Sequence, residues 1–586
     1  MTAEPAAREP ASRDPRTLRS HRWFGRNDMR SFAHRQRLQQ IGFARDEFVG
    51  KPVIGILDAW SGLSPCHAHL RERAQAAARG VLAAGGFPVE LPVLSLGEVM
   101  VKPTTMLYRN LLAMEAEELV RSHPLDAVLL LGGCDKTGPG LVMGAVSADV
   151  PCIFVPAGPM MNASRRGVKV GAGTHTRRFH DEYRAGHLDE AQWIRLETEM
   201  TRTIGTCNTM GTASTMTLAI EALGLSLPGA AAIPAADADH ERMVVGAGRR
   251  AVGLAWERLA PSRLLSRASF LNAVTTVLAC GGSTNAPIHL IAMARRAEVT
   301  LSLDDFERRS HEVPLLVDLM PAGRHLMQDL FMAGGLPALM RRLGDRIDTG
   351  CPTVSGRTIG ENIALRDADA WHDDDVIRPI AAPVTTRPAI SVLSGNLAPD
   401  GCVIKATAAD ERLLAHTGPA LVFDGPADMA ARIDDPALPV TADTVLVLRG
   451  GGPLGAPGMP EWGNLPIPRK LLEAGVRDML RVSDARMSGT HFGACVLHVA
   501  PESAAGGPLA LVRDGDPIEL DFAARRLTLH VPDDELARRR AELPAPKAPP
   551  SRGYAALYAA HVTQAPQGCD FDFMAGRGGV GEPEIF

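Results

Sequence analysis

The chain has 586 residues, of which 45% are hydrophobic and 22% charged, so its composition is that of an average globular protein with a large core. Its formal net charge is −5, which excludes the strongly basic surface of a typical nucleic-acid-binding protein. No apolar run reaches the roughly 18 to 20 residues of a membrane span, and the N-terminal segment lacks the apolar centre of an export signal. The sequence therefore predicts a cytoplasmic protein that binds neither nucleic acid nor membranes.

The first 160 residues alternate between apolar runs and helical periodicity. This alternation predicts a mostly parallel sheet covered by helices. The predicted strands are 52–60, 88–96, 125–133 and 152–158, and the predicted helices are 69–86, 106–122 and 139–148. Helical patterns dominate from about residue 188 to residue 343.

The sequence pattern changes after about residue 350, where short β-type runs are interrupted by Gly and Pro. These runs are 389–395, 402–408, 420–425, 444–452, 509–515 and 526–531. They predict a β-rich, barrel-like α+β domain. The sequence thus predicts an N-terminal α/β domain (residues 1–380) and a C-terminal β-rich domain (residues 381–586).

The nine cysteines are scattered and include no CxxC pair, which excludes zinc ribbons and thioredoxin-like redox sites. Cys66 and Cys134 each follow a predicted strand, where ligand sites of α/β sheets lie. Cys207 lies in a Gly- and Thr-rich entry to a helix, whose N-terminus favours a thiolate. Three such thiolates could hold an iron–sulfur cluster with one iron open. The alternative is three ordinary turns with buried thiols, and spacing alone does not decide between them.

Lys136 follows Cys134 and Asp135 in a chain that strongly prefers arginine. Only seven of the 62 basic residues are lysine. A buried lysine can become neutral and nucleophilic, whereas a guanidinium cannot readily lose its proton. This preference favours a requirement for a primary amine at residue 136, and the alternative is that one of the seven lysines falls there by chance. A Walker phosphate-binding loop does not fit, because Asp135 stands where that motif needs Gly.

Three more loops carry polar or glycine-rich patterns. Residues 281–285 (GGSTN) precede a helix, and helix capping is favoured over anion binding there. Residues 450–461 are so rich in Gly that a close approach to a ligand is expected. Ser488 lies in a polar turn after a strand and lacks the G-x-S-x-G elbow of a hydrolase.

Seven segments taken together resemble the dihydroxy-acid dehydratase and phosphogluconate dehydratase family, which includes the sugar-acid dehydratases, over nearly the whole chain. These segments are SPCHAHL (64–70), LGGCDKTGPG (131–140), GTCNTMGTASTM (205–216), CGGSTN (280–285), GNLAPDGCVIK (395–405), GAPGMPE (455–461) and SDARMSGT (483–490). The resemblance implies a homodimeric or homotetrameric dehydratase.

The resemblance also implies a role for individual residues. Cys66, Cys134 and Cys207 match the ligands of the family's iron–sulfur cluster, expected to be 2Fe–2S in preference to 4Fe–4S. The residues that match the Mg²⁺ site are Glu98, Asp135, Lys136 in carbamylated form, and Glu461. Ser488 matches the catalytic base, and Thr490 a hydroxyl beside it.

The implied reaction removes water from a 2,3-dihydroxy acid and gives a 2-keto-3-deoxy acid. The cluster would act as the Lewis acid, and Mg²⁺ would bind the carboxylate and the C2 hydroxyl. Residues 102–126 resemble the sugar-acid branch, which suggests a pentonate such as arabinonate or xylonate. The chain departs from that branch at His175, Arg177 and Arg178, where aromatic residues are commoner.

Two alternatives remain open at the level of the sequence. One is the dihydroxy-acid dehydratase of branched-chain amino-acid biosynthesis. The other is a non-catalytic regulator that binds a metabolite with its glycine-rich loops.

Overall fold

A computed structural model describes residues 13–365, 373–545, 548–577 and 581–585. The first 12 residues, on which the predicted cytoplasmic location partly depends, lie outside this range. The helices are α1 (His21–Phe24), α2 (Met29–Gln40), α3 (Arg45–Phe48), α4 (Leu70–Ala83), α5 (Thr105–Ser122), α6 (Thr137–Ala148), α7 (Thr174–Arg184), α8 (Glu190–Glu199), α9 (Thr212–Ala222), α10 (Ala238–Glu257), α11 (Arg267–Ala279), α12 (Ala286–Arg296), α13 (Leu303–Ser310), α14 (Met327–Met332), α15 (Gly335–Leu343), α16 (Ile359–Leu365), α17 (Pro426–Arg432), α18 (Arg469–Glu473), α19 (Asp533–Ala541) and α20 (Gly553–His561). The strands are β1 (Val53–Asp58), β2 (Phe87–Pro92), β3 (Ala127–Gly132), β4 (Cys152–Pro156), β5 (Ala163–Arg165), β6 (Val168–Val170), β7 (Ser391–Gly395), β8 (Ala398–Ile404), β9 (Ala415–Asp424), β10 (Val445–Arg449), β11 (Arg481–Ser483), β12 (Cys495–Ala500), β13 (Pro517–Asp521) and β14 (Arg526–Leu529).

The N-terminal part is built on a parallel sheet with strand order β2-β1-β3-β4. Every residue of β1, β3 and β4 is buried, because helices cover both faces and each strand can be an unbroken apolar run. Helices α4 and α10 cross so closely that a Cβ on Gly80 would lie 2.2 Å from the carbonyl oxygen of Val245. The predicted parallel sheet and its helical cover are confirmed.

The C-terminal part contains a closed eight-stranded barrel with the order β10-β11-β12-β8-β7-β14-β13-β9. Side chains alternate along β10. Val445 and Val447 fill the barrel, whereas Leu446 and Leu448 pack outside it in a second apolar cluster with Leu472 of α18. The predicted barrel-like domain is confirmed, although the domain boundary at residue 380 stays a prediction.

One predicted strand in the barrel domain is wrong, since residues 508–511 form a 3₁₀-helix and not part of a strand. Pro508 fixes a helical φ at its start, and the carboxylate of Asp516 accepts a hydrogen bond from the backbone N–H of Arg513 (2.7 Å), which turns the chain. Three barrel strands, β11, β12 and β13, have no counterpart among the predicted runs, although the sequence analysis expects a strand before the Ser488 turn, where β11 lies.

The sheet and the barrel share one core. Val392 and Val403 of the barrel strands are buried in the same apolar cluster as Phe306 of α13. Glu307 of α13 accepts a hydrogen bond from the backbone N–H of Val392 (2.9 Å). The loops after β10 and β11 thereby face the loops after β1, β2 and β3. No helix in the described ranges is both long and apolar enough to cross a membrane.

Candidate active site

Three of the nine cysteines converge at the carboxyl edge of the parallel sheet. Cys66 follows β1, Cys134 follows β3, and Cys207 precedes α9. A parallel bridge between Pro159 and Thr206 brings the Cys207 loop to the end of β4. Cys134 has a φ of 62°, a left-handed conformation that turns the chain sharply out of β3. The other six cysteines are buried away from this cluster.

The three thiols are close enough to influence each other's ionisation. A hydrogen bond with Cys134, burial and the charges of Cys134 and Cys207 raise the pKa of Cys66 well above its usual range. Burial, together with Asp135 and Cys134, raises the pKa of Cys207 to about 12. Thiolate ligands repel each other in the same way, and a bound metal ion offsets that repulsion. The arrangement therefore fits a metal cluster held by three thiolates.

His67 fastens the Cys66 loop to the Cys134 loop. Its ring lies 2.8 Å from Ser95 Oγ through Nδ1 and 2.8 Å from the Gly133 carbonyl oxygen through Nε2. Burial lowers the pKa of His67 to about 4, so the ring is neutral at neutral pH. The backbone N–H of Glu98 also donates to Cys134 Sγ (3.4 Å), which ties the loop after β2 to the thiols.

A carboxylate–lysine cluster lies directly beside the thiols. It joins Glu98, after β2, and the adjacent Asp135 and Lys136, after β3, with Glu461, which follows β10 of the barrel. Lys136 Nζ is fully buried and lies 2.9 Å from Glu98 Oε2, 3.2 Å from Asp135 Oδ2 and 3.2 Å from Glu461 Oε1.

The charges within this cluster shift the pKa values in opposite directions. Burial and Arg486 disfavour the ammonium form of Lys136, but the three carboxylates outweigh them and raise its pKa. Burial likewise disfavours an ionised Glu461, yet Lys136 and Arg486 lower its pKa to about 2. Burial raises the pKa of Glu98 despite the attraction of Lys136.

Two side chains hold Glu461 in place: Arg486, in the turn after β11, and Asn285, which precedes α12. Arg486 Nη1 donates to Glu461 Oε1 (3.0 Å), and Asn285 Nδ2 donates to the same oxygen (3.1 Å). Asn285 is the residue just before α12, but its side chain makes no capping hydrogen bond. The side chain of Asn285 therefore does not cap α12: among the described residues its Oδ1 accepts no hydrogen bond, whereas its Nδ2 donates to Glu461 and to the Met487 carbonyl (3.1 Å). In the same GGSTN segment, Ser283 Oγ accepts the backbone N–H of Asn285 (3.1 Å).

The donor set of this cluster suits a divalent cation of the magnesium type, which prefers carboxylate oxygens. In the described ranges no three His, Cys, Asp or Glu side chains are arranged as a ready metal site. At the carboxylate cluster, Lys136 Nζ lies between the three carboxylates, where a metal ion would have to bind. An ammonium repels a cation, whereas a carbamate formed on the same nitrogen would add oxygen ligands. The residues present fit the metal if Lys136 is carbamylated.

Ser488 and Thr490 lie in the turn that follows β11, with Ser488 Oγ 3.0 Å from Thr490 Oγ1. The turn is packed tightly against the sheet side. A Cβ on Gly489 would lie 2.7 Å from Ser283 Oγ, and a Cβ on Gly211 would lie 2.7 Å from the Thr490 methyl group. The side chain of Ser488 keeps partial exposure while Thr490 is buried. The two hydroxyls thus face the interface between the barrel and the sheet.

The glycine-rich loop after β10 packs closely against other segments of the chain. A Cβ on Gly452 would lie 2.4 Å from Glu502 Oε2, and one on Gly458 would lie 2.6 Å from the Leu107 backbone nitrogen. The buried carboxylate of Asp484 accepts the backbone N–H of Gly451 (2.8 Å), and Glu502 accepts that of Gly455 (2.9 Å). These contacts fix the loop that carries Glu461, and they account for its glycines without a ligand.

The structure brings together all nine site residues predicted from the sequence. It adds three residues to which sequence reasoning gave no role, although their neighbours were singled out: His67, Asn285 and Arg486. The signal was present in the segments SPCHAHL, CGGSTN and SDARMSGT, but the pattern alone does not say that Asn285 and Arg486 share one oxygen of Glu461.

Comparison with known proteins identifies the family of the chain. Residues 51–362 match the dihydroxy-acid/6-phosphogluconate dehydratase N-terminal family, and residues 375–569 match its C-terminal counterpart. The chain belongs to this dehydratase family.

Three curated relatives are named as sugar-acid dehydratases. The 6-deoxy-6-sulfo-D-gluconate dehydratase of Pseudomonas putida is 59% identical over 97% of this chain and 98% of its own. An L-arabinonate dehydratase of Rhizobium leguminosarum bv. trifolii is 47% identical (96% and 97% covered), and an L-arabonate dehydratase of Azospirillum brasilense is 49% identical (97% and 98% covered).

Proposed function

We propose that this protein is a hydro-lyase that dehydrates a sugar acid to the corresponding 2-keto-3-deoxy acid. The observation that carries the proposal is the convergence of three thiols, a carboxylate–lysine cluster and a serine–threonine turn at one interface. The thiols and the lysine cluster are neighbours in the chain as well, since Cys134, Asp135 and Lys136 are consecutive. Family membership and the names of the similar proteins support the same chemistry.

The reaction is difficult for two reasons. The proton at C2 is weakly acidic, and hydroxide is a poor leaving group at C3. An iron–sulfur cluster on Cys66, Cys134 and Cys207, taken here as 2Fe–2S, would polarise the leaving hydroxyl, and Mg²⁺ would stabilise negative charge that develops at C1 and C2. Cys66, Cys134 and Cys207 would hold the cluster, and Glu98, Asp135, carbamylated Lys136 and Glu461 would hold Mg²⁺.

The remaining residues orient the substrate and move a proton. Glu461 is fixed by Arg486 and Asn285, so its free oxygen keeps one direction. Ser488 Oγ removes the C2 proton, and Thr490 Oγ1, 3.0 Å away, donates a hydrogen bond that stabilises the serine alkoxide. Such help is required because an isolated serine hydroxyl is far too weak a base. The enol product then tautomerises to the keto acid.

The sequence suggests a pentonate, and the relatives named for L-arabinonate and L-arabonate support that choice. The relative named for 6-deoxy-6-sulfo-D-gluconate supports a longer, sulfonated acid. The branched-chain dihydroxy-acid dehydratase reaction is the second candidate within the family.

The test is an anaerobic assay of the reconstituted protein with Mg²⁺ and a panel of acids, in which the 2-keto acid is trapped as its semicarbazone. The panel contains L-arabinonate, D-xylonate, D-gluconate, 6-deoxy-6-sulfo-D-gluconate and 2,3-dihydroxyisovalerate. We expect turnover of one or more of the sugar acids. Turnover of 2,3-dihydroxyisovalerate alone would replace the proposal by the second candidate, and turnover of none would refute it. A homodimer or homotetramer in the cytoplasm remains our expectation for the assembly.

A further inference from the structure

Helix α7 is attached directly to the serine–threonine turn. Thr174 Oγ1 donates to the Thr490 carbonyl oxygen (2.6 Å) at the start of the helix. Just before the helix, a Cβ on Gly173 would lie 2.2 Å from Thr490 Oγ1. The Gly173 backbone therefore packs against the Thr490 side chain too closely for a residue with a Cβ atom. Residues one turn into α7 therefore have a fixed position relative to Ser488.

Arg177 lies one turn into α7 and has hydrogen-bonding capacity to spare. Its side chain is only 21% exposed. Within the described part of the chain its one hydrogen bond runs from Nη2 to the Asn464 carbonyl oxygen, at a long 3.4 Å. The nearest carboxylate oxygen, Asp181 Oδ1, is 3.8 Å away and outside hydrogen-bond distance. A guanidinium carries five N–H donors, so most of them are unused.

The neighbouring cations differ from Arg177 in this respect. Arg184 contacts Asp434 at 2.6 Å, and Arg481 contacts Asp478 at 2.5 Å. Both are therefore engaged in close ion pairs of the structural kind. Arg177 is the cation of this group that is left with donors for a ligand.

His491 lies next to the turn that carries Ser488. The backbone N–H of His491 donates to the Ser488 carbonyl oxygen (3.1 Å), and burial, together with the charge of Arg177, lowers the pKa of its ring to about 4. Its Nδ1 is buried and, among the described residues, has no hydrogen-bond partner. Buried ring nitrogens without a partner are costly, and one that points into a site is available to a ligand.

We infer that Arg177 and His491 form a subsite for an oxyanion at the far end of the substrate, so that the preferred sugar acid carries a second acidic group remote from its reacting carboxylate. The inference rests on the proposed function and narrows it. Arg177 contacts the Asn464 carbonyl oxygen of the barrel domain, and its helix begins on the Thr490 carbonyl oxygen, so its guanidinium lies beside the turn that carries Ser488. A sulfonate, a phosphate ester or a second carboxylate could each accept hydrogen bonds from a guanidinium. The sulfonate is the choice that the Pseudomonas putida relative supports.

The test compares acids that differ only at C6: D-gluconate, 6-deoxy-6-sulfo-D-gluconate, 6-phospho-D-gluconate and D-glucarate. In the wild-type enzyme we expect kcat/KM for one of the three anionic acids to exceed that for D-gluconate by on the order of 100-fold. Arg177→Gln should remove most of this preference, and it should do so by raising KM for the anionic acid. Arg177→Lys should retain part of the preference, because the charge remains while the fork of donors is lost.

The matched control is Arg178→Gln, which removes the same charge from the next, exposed residue of α7. It should preserve the preference. His491→Asn should weaken binding of the anionic acid less than Arg177→Gln does. Melting temperature and cluster absorbance verify that each variant is folded and loaded, and calorimetric titration with each acid gives affinity independently of turnover.

Two results would overturn the inference while leaving the proposed function intact. One is a wild-type enzyme whose kcat/KM for D-gluconate or L-arabinonate equals or exceeds its kcat/KM for every one of the anionic acids. The other is an equal loss of preference in Arg177→Gln and Arg178→Gln. If no sugar acid is dehydrated, the proposed function itself fails, and calorimetry alone then decides whether Arg177 binds the oxyanion.

Discussion

The loops that follow the strands of the parallel sheet and those that follow the barrel strands meet at one site. Different side chains hold the two sets of loops in place by hydrogen bonds. On the sheet side, buried neutral imidazoles contact loop carbonyls: His69 reaches the Ala157 carbonyl (2.7 Å) and His240 the Pro156 carbonyl (2.9 Å). On the barrel side, buried carboxylates accept loop N–H groups, as Asp484 and Glu502 do in the glycine-rich loop. The sheet side supplies the thiols and the lysine, and the barrel side supplies Glu461 and the serine.

In the proposed mechanism the sheet side supplies every cofactor ligand except Glu461, and the barrel side supplies the base, so the two sides can be tested separately. The largest effect is expected for the thiols. Replacing Cys66, Cys134 or Cys207 by Ser should abolish the visible absorbance of the reconstituted cluster and all turnover, because three ligands are the minimum that holds it with one iron open. Iron content, absorbance and keto-acid formation measure the outcome.

Cys152→Ala is the matched control, since Cys152 is buried within β4 and away from the site. It should lose some stability and retain the cluster. A cluster that survives in Cys66→Ser would remove Cys66 from the ligand set.

The second prediction concerns the residue at which the two halves touch. Lys136→Arg keeps the positive charge but cannot form a carbamate, so turnover should fall by at least about 1000-fold while the iron–sulfur absorbance persists. Lys169→Arg, in the partly exposed Lys169–Asp329 ion pair (2.8 Å), should be as active as the wild type. A carbon-13 signal of a carbamate after incubation with labelled bicarbonate and Mg²⁺ should appear in the wild type and be missing in Lys136→Arg. Full activity of Lys136→Arg would reject the carbamate.

The third prediction isolates the barrel half. Ser488→Ala should retain the cluster and bind substrate, yet turnover should fall by roughly 100- to 10,000-fold, the usual range for loss of a general base. Exchange of the C2 hydrogen in heavy water, followed by NMR, should fall in parallel. Ser226→Ala, which removes a buried serine far from the site (2.8 Å from the Phe154 carbonyl), should exchange normally. Normal exchange in Ser488→Ala would assign the proton transfer to another group.

How far the sequence predicts each half also differs. Strand-end position singles out Cys134, and the scarcity of lysine singles out Lys136, without the family resemblance. Local pattern also singles out the glycine-rich loop that carries Glu461 and the polar turn after the three-residue β11 that carries Ser488. Only the family resemblance gives Glu461 and Ser488 their roles, because nothing local says where a barrel strand lies relative to a distant sheet. The 3₁₀-helix at 508–511 was misread for a related reason: an apolar run of four residues fits either structure, and Pro508 decides it.

The fourth prediction concerns Asn285, the residue that links the halves through Glu461. Asn285→Ala removes the hydrogen bond to Glu461 Oε1 and should weaken Mg²⁺ activation by about tenfold, as is usual when an outer-shell partner of a metal ligand is lost. Asn272→Ala removes a comparably buried asparagine that bonds the Asp348 carbonyl (2.9 Å) and should leave Mg²⁺ activation unchanged. The Mg²⁺ concentration for half-maximal activity is the measurement. If the two variants behave alike, Asn285 has a structural role only.

The smallest expected effect, and the most direct test of the contrast between the halves, is on stability in mild acid. Burial lowers the pKa of His67 to about 4 and that of His240 to about 3, against an ordinary histidine value of about 6.5. Between pH 6.5 and pH 4 the unfolded chain binds protons at these histidines that the folded chain does not. The free energy of unfolding therefore decreases as the pH falls through that window. Burial raises the pKa of Asp484 and of Glu502, so neither carboxylate loses stability on acidification.

At pH 5.5, one unit below the ordinary histidine pKa, each buried histidine should cost about 1.4 kcal/mol of the free energy of unfolding. Amide hydrogen exchange, corrected for the intrinsic effect of pH, should therefore show that loops 64–70 and 133–134 lose protection between pH 7.5 and pH 5.5 while residues 450–455 do not. His240→Gln keeps a donor for the Pro156 carbonyl and removes the titration, so its unfolding free energy should depend on pH less than that of the wild type, by about the same 1.4 kcal/mol. Equal loss of protection in both sets of loops would mean that the two halves open as one unit, and the contrast between imidazole and carboxylate fastening would then have no consequence for stability.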